Sequence, residues 1–324
     1  MKKELIFVIS LLAACLFPIT SCKQQKTDRD IPLKLLYWNI QNGMWDGQGD
    51  NYDRFVDFVK AQDPDICVWC EAESIYKTGS DCEMPVKDRY LVNGWGSLAK
   101  RYGHDYWGIG GHRDSYPQVI TSKYPISYVK KIIGAEPDSV VTHGAGWAQI
   151  KIGSANLNIV TLHTWPLAHA FGAADIEASA AAREGDHYRM KEMKYICEHT
   201  IGTDRQASQN LWVMLGDFNS ISVKDIDHYK YDRSDSKFLV HDYILGNTPY
   251  LDVIKEMHPS EFKPTGSRNT RIDFVYCTKA FYDKVVSADI IKDSYTTQVR
   301  DPEKLSNFWH PSDHLPIVIE FNLE

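Results

Sequence analysis

The sequence has little positive charge. Its 324 residues include 36 lysines and arginines against 43 aspartates and glutamates, a formal net charge of -7 at pH 7. Proteins that bind nucleic acid by broad electrostatic attraction rely on basic surface, so this balance argues against that mode, although a local basic patch stays possible. Internal repeats are also absent.

A second closely spaced cysteine pair is missing too. Cys67 and Cys70 have zinc-like spacing but lie in an apolar run with no partner pair, which favours buried thiols over a metal site. Five cysteines remain beyond the first 22 residues, so at least one is unpaired within the chain in an oxidising compartment: Cys67, Cys70, Cys82, Cys197 and Cys277.

The N-terminal apolar run, from Leu5 to Leu16, is too short for a confident membrane span and indicates a secretory signal over residues 1–21. The stretch before Cys22 resembles a bacterial lipobox, which implies cleavage there and lipidation of its sulfur. The alternative is a plain signal peptide with an incidental cysteine. Residues 22–30 are polar and suit a tether. We therefore expect an exported lipoprotein on a membrane, periplasmic or at the cell surface.

The rest of the chain alternates short apolar runs with few helical segments. Helical spacing predicts a helix over 51–62, capped by Asp50 or Asn51, and one or two helices over 173–200. A Gly- and Tyr-rich loop region is expected through Arg113. Strands are predicted at 33–40, 65–70, 117–122, 146–163 (a hairpin), 211–216, 271–277, 285–292 and 315–321. Strands that follow each other directly favour an α/β domain with two packed mixed or antiparallel sheets and helices outside.

Polar residues stand at the ends of six of these apolar segments. They are Asn39, Glu71, His163, Asp217 with Asn219, Asp273, and Asp313 with His314. Each alone has an ordinary structural explanation, such as a turn residue, a solvated charge or an ion pair. Together they could form a site on a rigid sheet, and carboxylate and amide oxygens suit Mg²⁺ or Mn²⁺ better than zinc.

These residues resemble, in type and order, the motifs of the endonuclease/exonuclease/phosphatase superfamily, which includes deoxyribonuclease I. The matching segments are "WNIQNG", "PDICVWCEAE", "VITSKYPI", "TLHTWP", "GDFNS", "RIDFVY" and "SDHLPI". The resemblance spans about residues 33–321. It implies a single domain over 31–324, folded as a four-layer α/β sandwich with the site at one edge of the two sheets.

The resemblance also implies metal-dependent hydrolysis of phosphoesters. Asn39, Glu71 and Asp313 would hold Mg²⁺ or Mn²⁺ or support its ligands. A separate catalytic set would act on the phosphate and the water: His163, Asp217, Asn219, Asp273 and His314. His314, partnered by Asp273, would take the water proton, with Asp217 the other candidate for that role. Arg113 could touch the substrate phosphate or lie in an ordinary surface loop.

The substrate is less constrained. Gln41 stands where the repair nucleases of this family typically carry Asp, which disfavours an abasic-site nuclease. An exported phosphodiesterase would meet nucleic acid, phospholipid head groups or phosphorylated glycans, and we expect it to act as a monomer. A sphingomyelinase or a sugar or inositol phosphate phosphatase is the alternative on the same site. A catalytically silent, lipid-anchored binding protein is the alternative from another class.

Overall fold

The computed structural model describes residues 31–41, 52–72, 92–111, 116–134, 140–300 and 309–323. Two six-stranded sheets and one two-stranded ribbon form within these ranges. The strands are β1 (Ile31–Asn39), β2 (Ile66–Cys70), β3 (Tyr106–Ile109), β4 (Val119–Ser122), β5 (Ile126–Ile132), β6 (Ala145–Ile152), β7 (Ala155–His163), β8 (Leu211–Asp217), β9 (Tyr250–Asp252), β10 (Asp273–Thr278), β11 (Val285–Ile290), β12 (Val299–Arg300), β13 (Trp309–His310) and β14 (Ile317–Leu323).

Each large sheet is antiparallel except for one central parallel pair. The order is β11-β14-β1-β2-β4-β3 in the first sheet and β5-β6-β7-β8-β10-β9 in the second. β1 runs parallel to β2, and β7 runs parallel to β8. Parallel neighbours end at the same edge of a sheet. The polar residues that follow these four strands are thereby brought to two shared edges.

Helices cover the outer faces of both sheets. The α-helices are α1 (Asp53–Gln62), α2 (Val92–Arg101), α3 (Ile176–Ala181), α4 (Glu184–His199), α5 (Leu239–Asn247), α6 (Val253–Met257) and α7 (Lys279–Tyr282). The outer faces are packed by α1 and α2 on the first sheet and by α4 and α5 on the second, whereas α6 and α7 contribute Val253, Ile254 and Phe281 to the cluster between the sheets. Within the described ranges, no helix combines the length and the apolar character needed to cross a membrane.

Three apolar clusters separate four layers. Phe55 and Val59 of α1 pack on the outer face of the first sheet, and Met193 of α4 packs on the outer face of the second. Between the sheets lies a third cluster that includes Leu35 and Ile159. Apolar side chains on both faces explain why the central strands read as continuous apolar runs rather than alternating ones. The predicted four-layer sandwich of two mixed sheets is confirmed.

Two local predictions were wrong. The Gly- and Tyr-rich region through Arg113 is not all loop, because α2 and β3 form within it. Trp95, 1% exposed, anchors α2 by packing on the first sheet, and this tertiary contact outweighs the two glycines of the helix. The predicted polar cap of α1 also fails: Tyr52 holds the N-cap position in a left-handed conformation and makes no side-chain cap bond.

The prediction that Cys67 and Cys70 are buried thiols is confirmed. Cys67, Cys70, Cys197 and Cys277 are free and buried, and Cys82 lies outside the described residues. Cys67 packs in the outer cluster of the first sheet and Cys70 packs between the sheets. They therefore point to opposite faces of β2, which prevents them from sharing a metal ion.

Arg271 is an internal charge that supports the start of β10. It is 1% exposed, and its guanidinium donates to Asp252 at 2.9 and 2.7 Å and to Asp225 at 2.7 Å. Arg271→Ala leaves two buried carboxylates without their main partner. We expect it to lower the free energy of unfolding by about 3–5 kcal/mol in urea titrations.

The exposed Arg233, which pairs with Asp242, is the matched control for that experiment. Arg233→Ala is expected to cost about 1 kcal/mol or less, because solvent screens a surface pair. Equal losses in the two variants would contradict the structural role given to Arg271.

Candidate active site

The two parallel strand pairs gather the polar residues predicted from the sequence. Asn39 ends β1 beside Cys70, so Glu71 follows at the same edge. In the second sheet, His163 of β7 is in register with Asp217 of β8, and Asp217 is in register with Asp273 of β10. Side chains of residues that are directly paired across neighbouring strands lie close together.

Asn39 joins the two sheets at this edge. Its Nδ2 donates to Glu71 Oε1 and to Asp217 Oδ2, each at 3.1 Å. The backbone N–H of Gln41 donates to Asn39 Oδ1 at 3.1 Å and so orients the amide. Gln41 is itself 4% exposed, and its Oε1 accepts from the backbone N–H of Trp309 at 3.2 Å. In this chain, Gln41 therefore contributes to the internal support of the site.

Three side chains lie close enough together to bind one metal ion: those of Glu71, His163 and Asp217. His163 Nε2 lies 3.9 Å from Glu71 Oε1 and 3.6 Å from Asp217 Oδ2. One possible ligand atom from each of the three residues lies within 4.8 Å of the other two. Asp217, Asp273 and His314 form a second such group that shares Asp217.

Among the described residues, the site carries more negative than positive charge. Four carboxylates converge on it, those of Glu71, Asp217, Asp273 and Asp313, and their ion pairs with described residues involve only His163 and His314. Burial raises the pKa of Asp217 to about 8, and the neighbouring Asp273 and Glu71 carboxylates add to the rise. His314 opposes it. Hard oxygen donors with surplus negative charge are the set that suits a divalent cation, so the residues fit the metal that the sequence predicted.

His314 and Asp273 form a buried dyad. His314 Nδ1 lies 2.7 Å from Asp273 Oδ2, and Tyr37 Oη donates to Asp273 Oδ1 at 2.7 Å. Holding Asp273 from two sides fixes the ring of His314, and its Nε2 lies 3.7 Å from Asp217 Oδ2. The sequence-based pairing of His314 with Asp273, rather than with its neighbour Asp313, agrees with this geometry.

The segment that carries His314 is irregular and well held. Trp38 Nε1 donates to the His314 carbonyl at 2.9 Å, and Ser312 Oγ donates to the Asn39 carbonyl at 2.7 Å. The backbone N–H of Leu315 donates to the Thr265 carbonyl at 2.7 Å. These bonds replace the strand ladder that a proline on either side interrupts.

Asp313 lies near the ring nitrogen of His314 that faces away from Asp273, with its Oδ1 3.7 Å from Nε2. It belongs to neither of the two close ligand groups. The pKa of His314 is raised well above its usual range by the three carboxylates Asp273, Asp313 and Asp217, against the opposing effect of burial.

Asn219 is held beside Asp217 by a tight turn. It adopts a left-handed backbone conformation (φ 46°), and its backbone N–H donates to Asp217 Oδ1 at 2.9 Å. Its Nδ2 donates to the Thr164 carbonyl at 3.0 Å. An amide nitrogen has two hydrogens, so this bond leaves one donor for another acceptor.

His163 belongs to an aromatic cluster that sequence analysis missed. The His143 ring centroid lies 4.4 Å from that of His163, and both rings contact Tyr116, at 4.9 and 5.8 Å. Burial, followed by His143 and His314, lowers the pKa of His163 well below its usual range. His163 is therefore neutral at neutral pH. His143 precedes β6 by two residues and shows no motif that would have singled it out.

Glu192 of α4 ties the two segments of this cluster together. It is fully buried; its Oε1 accepts from the N–H and hydroxyl of Thr142 at 2.9 and 2.8 Å, and its Oε2 accepts from the N–H of Trp165 at 2.8 Å. Thr142 adjoins His143, and Trp165 follows His163 by two residues. Burial raises the pKa of Glu192 to about 7, although these hydrogen bonds and Arg189 oppose the rise.

This raised pKa predicts a pH dependence of stability. The folded protein holds a proton on Glu192 up to about pH 7, whereas the unfolded chain releases it near pH 4.5. The contribution of Glu192 to the free energy of unfolding therefore falls by about 3 kcal/mol as the pH rises from about 4.5 to 7. Glu192→Gln removes this titration and is expected to flatten the dependence in urea titrations. The exposed Glu198 on the same helix is the control, and Glu198→Gln is expected to keep it. An unchanged slope in Glu192→Gln would contradict the prediction.

Two residues predicted to be functional lie outside the described residues: Arg113 and Cys22. Tyr37 was missed because its position reads as an ordinary apolar strand residue, and only the stacking of the two sheets brings its hydroxyl to Asp273.

Comparison with known proteins agrees with the fold and the motifs. Residues 36–314 match the model of the Endonuclease/Exonuclease/phosphatase family. No match was found among curated proteins. An AP endonuclease from Archaeoglobus fulgidus aligns with 17% identity and a TM-score of 0.59, covering 89% of this chain and 99% of that one.

Two further solved structures are similar. A 3'-5' exonuclease from Neisseria meningitidis has 17% identity and a TM-score of 0.57, covering 89% of this chain and 99% of that one. An endonuclease/exonuclease/phosphatase family protein from Bacteroides thetaiotaomicron has 14% identity and a TM-score of 0.57, covering 91% and 99%. Identities this low establish the fold, and the family match extends over most of the sequence. The chain belongs to the endonuclease/exonuclease/phosphatase family.

Proposed function

We propose that the protein is a divalent-metal-dependent hydrolase of phosphoester bonds, acting as a phosphodiesterase. The observation that carries the proposal is the convergence of Glu71, His163 and Asp217 on one metal-sized group beside the His314–Asp273 dyad. Membership of a family named for nucleases and phosphatases supports it. Solved structures with this fold include a 3' phosphatase from Neisseria bound to a product DNA hairpin.

Glu71, Asn39 and Asp217 would hold the cation, with Asp313 close by. A bound Mg²⁺ or Mn²⁺ supplies positive charge that stabilises a phosphoryl oxygen and the leaving oxygen. The carboxylates that raise the pKa of His314, those of Asp273, Asp313 and Asp217, would be partly neutralised by that charge. In the metal-bound protein we therefore expect His314 to lose its proton more easily.

The surrounding residues would then divide the remaining work. His314 Nε2 takes the proton of the attacking water, while Asp273 holds Nδ1–H and so selects the tautomer. The second Nδ2 hydrogen of Asn219 would donate to the phosphate. His163 is neutral, so it would stabilise the phosphoryl oxygens by a hydrogen bond rather than by an ion pair.

The test is turnover of bis(p-nitrophenyl) phosphate with Mg²⁺ or Mn²⁺ and then with EDTA. Glu71→Gln is expected to lose most metal-dependent turnover, whereas Glu177→Gln, an exposed glutamate on α3, is expected to keep it. A panel of plasmid DNA, sphingomyelin, inositol phosphates and phosphorylated glycans then defines the substrate. Absence of metal-dependent turnover on the whole panel would overturn the proposal in favour of a binding protein.

A rim segment, residues 164–171, favours a phospholipid as a second candidate substrate. It leaves the edge directly after His163 and exposes Leu167 by 44% and Phe171 by 51%. The rings of Trp165 and Phe171 lie 5.1 Å apart, and Trp165 lies 6.1 Å from His143. Buried Arg189 donates to the carbonyls of Trp165 and Leu167 at 2.8 and 3.0 Å, which holds the segment in place.

The apolar part of a phospholipid, next to its phosphate, would cover the exposed Leu167 and Phe171 side chains. A nucleic acid strand is a polyanion and would gain no binding energy from these apolar side chains. Phe171→Ala is therefore expected to raise KM for sphingomyelin vesicles without raising it for bis(p-nitrophenyl) phosphate. Equal changes for both substrates would contradict a lipid-binding role for the rim segment.

We also propose that the chain is exported and anchored through Cys22. Incorporation of a palmitate analogue in the producing cell, lost in Cys22→Ala, is the expected result. Export without labelling would instead indicate a plain signal peptide.

A further inference from the structure

A cavity lies on the outer face of the second sheet, away from the candidate active site. Its volume is about 340 Å³. Asn158, which lines it, stands five residues before His163 on β7. At about 3.3 Å per residue, that separation along the strand is roughly 17 Å. The cavity is therefore distinct from the catalytic edge.

One row of side chains across three strands forms its floor. Gln149 of β6 is in register with Asn158 of β7, which is in register with Trp212 of β8. One step along β7, Val160 already belongs to the apolar cluster under α4. The outer face thus changes from aliphatic to amide and indole side chains at this row, which is unexpected for a face whose only task is to bind a helix.

The polar side chains of the cavity are fixed by one another. Asn158, 6% exposed, accepts from Trp147 Nε1 at 3.1 Å and from Gln149 Nε2 at 2.9 Å, and it donates to the Leu211 carbonyl at 3.2 Å. Asp204 Oδ2 accepts from Trp212 Nε1 at 2.9 Å and from Asn210 Nδ2 at 2.8 Å. Both indole N–H groups are held, so the two rings, 5.0 Å apart, have fixed orientations.

Several amide groups around these fixed side chains can still form hydrogen bonds to a ligand. Gln149 Oε1 and Asn210 Oδ1 accept no bond from the described residues, and the exposed Asn156 side chain makes none with them. Trp147 is half-buried and offers part of its ring, whereas Trp212 is buried beneath it. A rigid aromatic wall with nearby amides and a carboxylate is suited to a ligand that has apolar C–H faces and many hydroxyls.

Charge narrows the class of ligand. The lining residues that the structure describes include Asp204 but no lysine or arginine. Lys130 and Lys151, in register with Trp147 and Asn156, stand beside the lining rather than in it. An anionic ligand on the floor of the cavity would meet the Asp204 carboxylate, which disfavours phosphates and uronic acids there. A hydroxyl group both donates and accepts, so it can pair with amide and carboxylate groups alike. We infer that this cavity is a binding site for a neutral saccharide, separate from the candidate active site.

Isothermal titration of the full chain with glucose, mannose, N-acetylglucosamine and their disaccharides tests the inference. Saturable binding of at least one sugar is expected, accompanied by a change in tryptophan fluorescence. Trp147→Ala is expected to weaken that binding about tenfold or more, equivalent to about 1.4 kcal/mol. Trp107, 38% exposed on β3 and outside the cavity, is the matched control, and Trp107→Ala is expected to bind as the wild type does.

Gln149→Ala combined with Asn156→Ala provides a second variant that leaves both tryptophans in place. It is expected to weaken sugar binding while keeping the unfolding temperature and the turnover of bis(p-nitrophenyl) phosphate. Absence of binding by every sugar to the folded wild type overturns the inference, as does equal binding by Trp147→Ala and Trp107→Ala. Binding of adenosine or inorganic phosphate at this cavity instead of any sugar would also overturn it. Loss of phosphoester turnover bears only on the proposed function, so the two failures are distinguishable.

Discussion

Replacing His314 with alanine is expected to lower kcat by roughly 10²–10⁴-fold, the range associated with the loss of a general acid or base. His314 Nε2 faces the shared carboxylate of the two ligand groups, while Nδ1 is held 2.7 Å from Asp273. Among the imidazole–carboxylate pairs that join two described residues, no other is shorter than 3 Å. The measurement is kcat on bis(p-nitrophenyl) phosphate at saturating Mg²⁺, with circular dichroism to verify folding.

His241 is the matched control because it is also a buried histidine with two partners. Its Nδ1 lies 2.7 Å from Tyr276 Oη and its Nε2 lies 3.0 Å from Ser220 Oγ. His241→Ala is expected to reduce stability but to leave kcat of the folded protein nearly unchanged. A kcat for His314→Ala within about tenfold of the wild type would remove His314 from the role of base.

Asp217→Ala is expected to lose turnover on a similar scale, so the size of the loss does not separate the two candidates for the base. Added imidazole does separate them. If His314 transfers the proton, free imidazole can enter the space left by His314→Ala and restore part of kcat. It should give no such recovery in Asp217→Ala. Recovery in neither variant would count against His314 as the base.

The affinity for Mg²⁺ is expected to depend strongly on pH. The pKa of Asp217 in the metal-free protein is about 8, raised chiefly by burial. A carboxylate must lose its proton before it binds a cation, so below that pKa each pH unit costs about tenfold in apparent affinity. Between pH 8 and pH 6 we therefore expect the apparent Kd to rise by up to roughly 100-fold.

Isothermal titration in two buffers of different ionisation enthalpy measures both the Kd and the protons released. Release of close to one proton per Mg²⁺ at pH 6.5 is expected. Asp217→Asn keeps the shape of the side chain but cannot titrate, so its weaker binding is expected to vary far less with pH. A wild-type Kd that is constant from pH 6 to pH 8 would contradict the raised pKa.

Much of the fold followed from local pattern. The strands at 65–70, 211–216 and 315–321 were predicted within about two residues, because each is a short, continuous apolar run between polar residues. The region before Arg113 was mispredicted for the opposite reason. Its helix and edge strand contain glycines and aromatic residues and are held by packing, and Gly96 even lies against the ring of Trp107.

The residues of the candidate site also divide into those that the local sequence pattern selected and those that it missed. Residue type and position at strand ends were enough to select Asn39, Glu71, His163, Asp217, Asn219, Asp273 and His314, and the motif order was enough to predict the family. Tyr37, His143 and Glu192 were missed. Each lies in a segment without a motif and reaches the site only through contacts between sheets or between helix and loop.

By itself, the sequence determined the approximate positions of most central strands, the two-sheet class of fold and the chemical types collected at one edge. Those properties depend on hydrophobic periodicity and strand termini, which are local. Only the tertiary structure decided that Asn39 bridges Glu71 and Asp217, that Tyr37 and His314 share Asp273, and that Gln149, Asn158 and Trp212 form one row. Such contacts depend on strand register and on the stacking of the two sheets, and they join residues up to 236 positions apart that no local pattern relates.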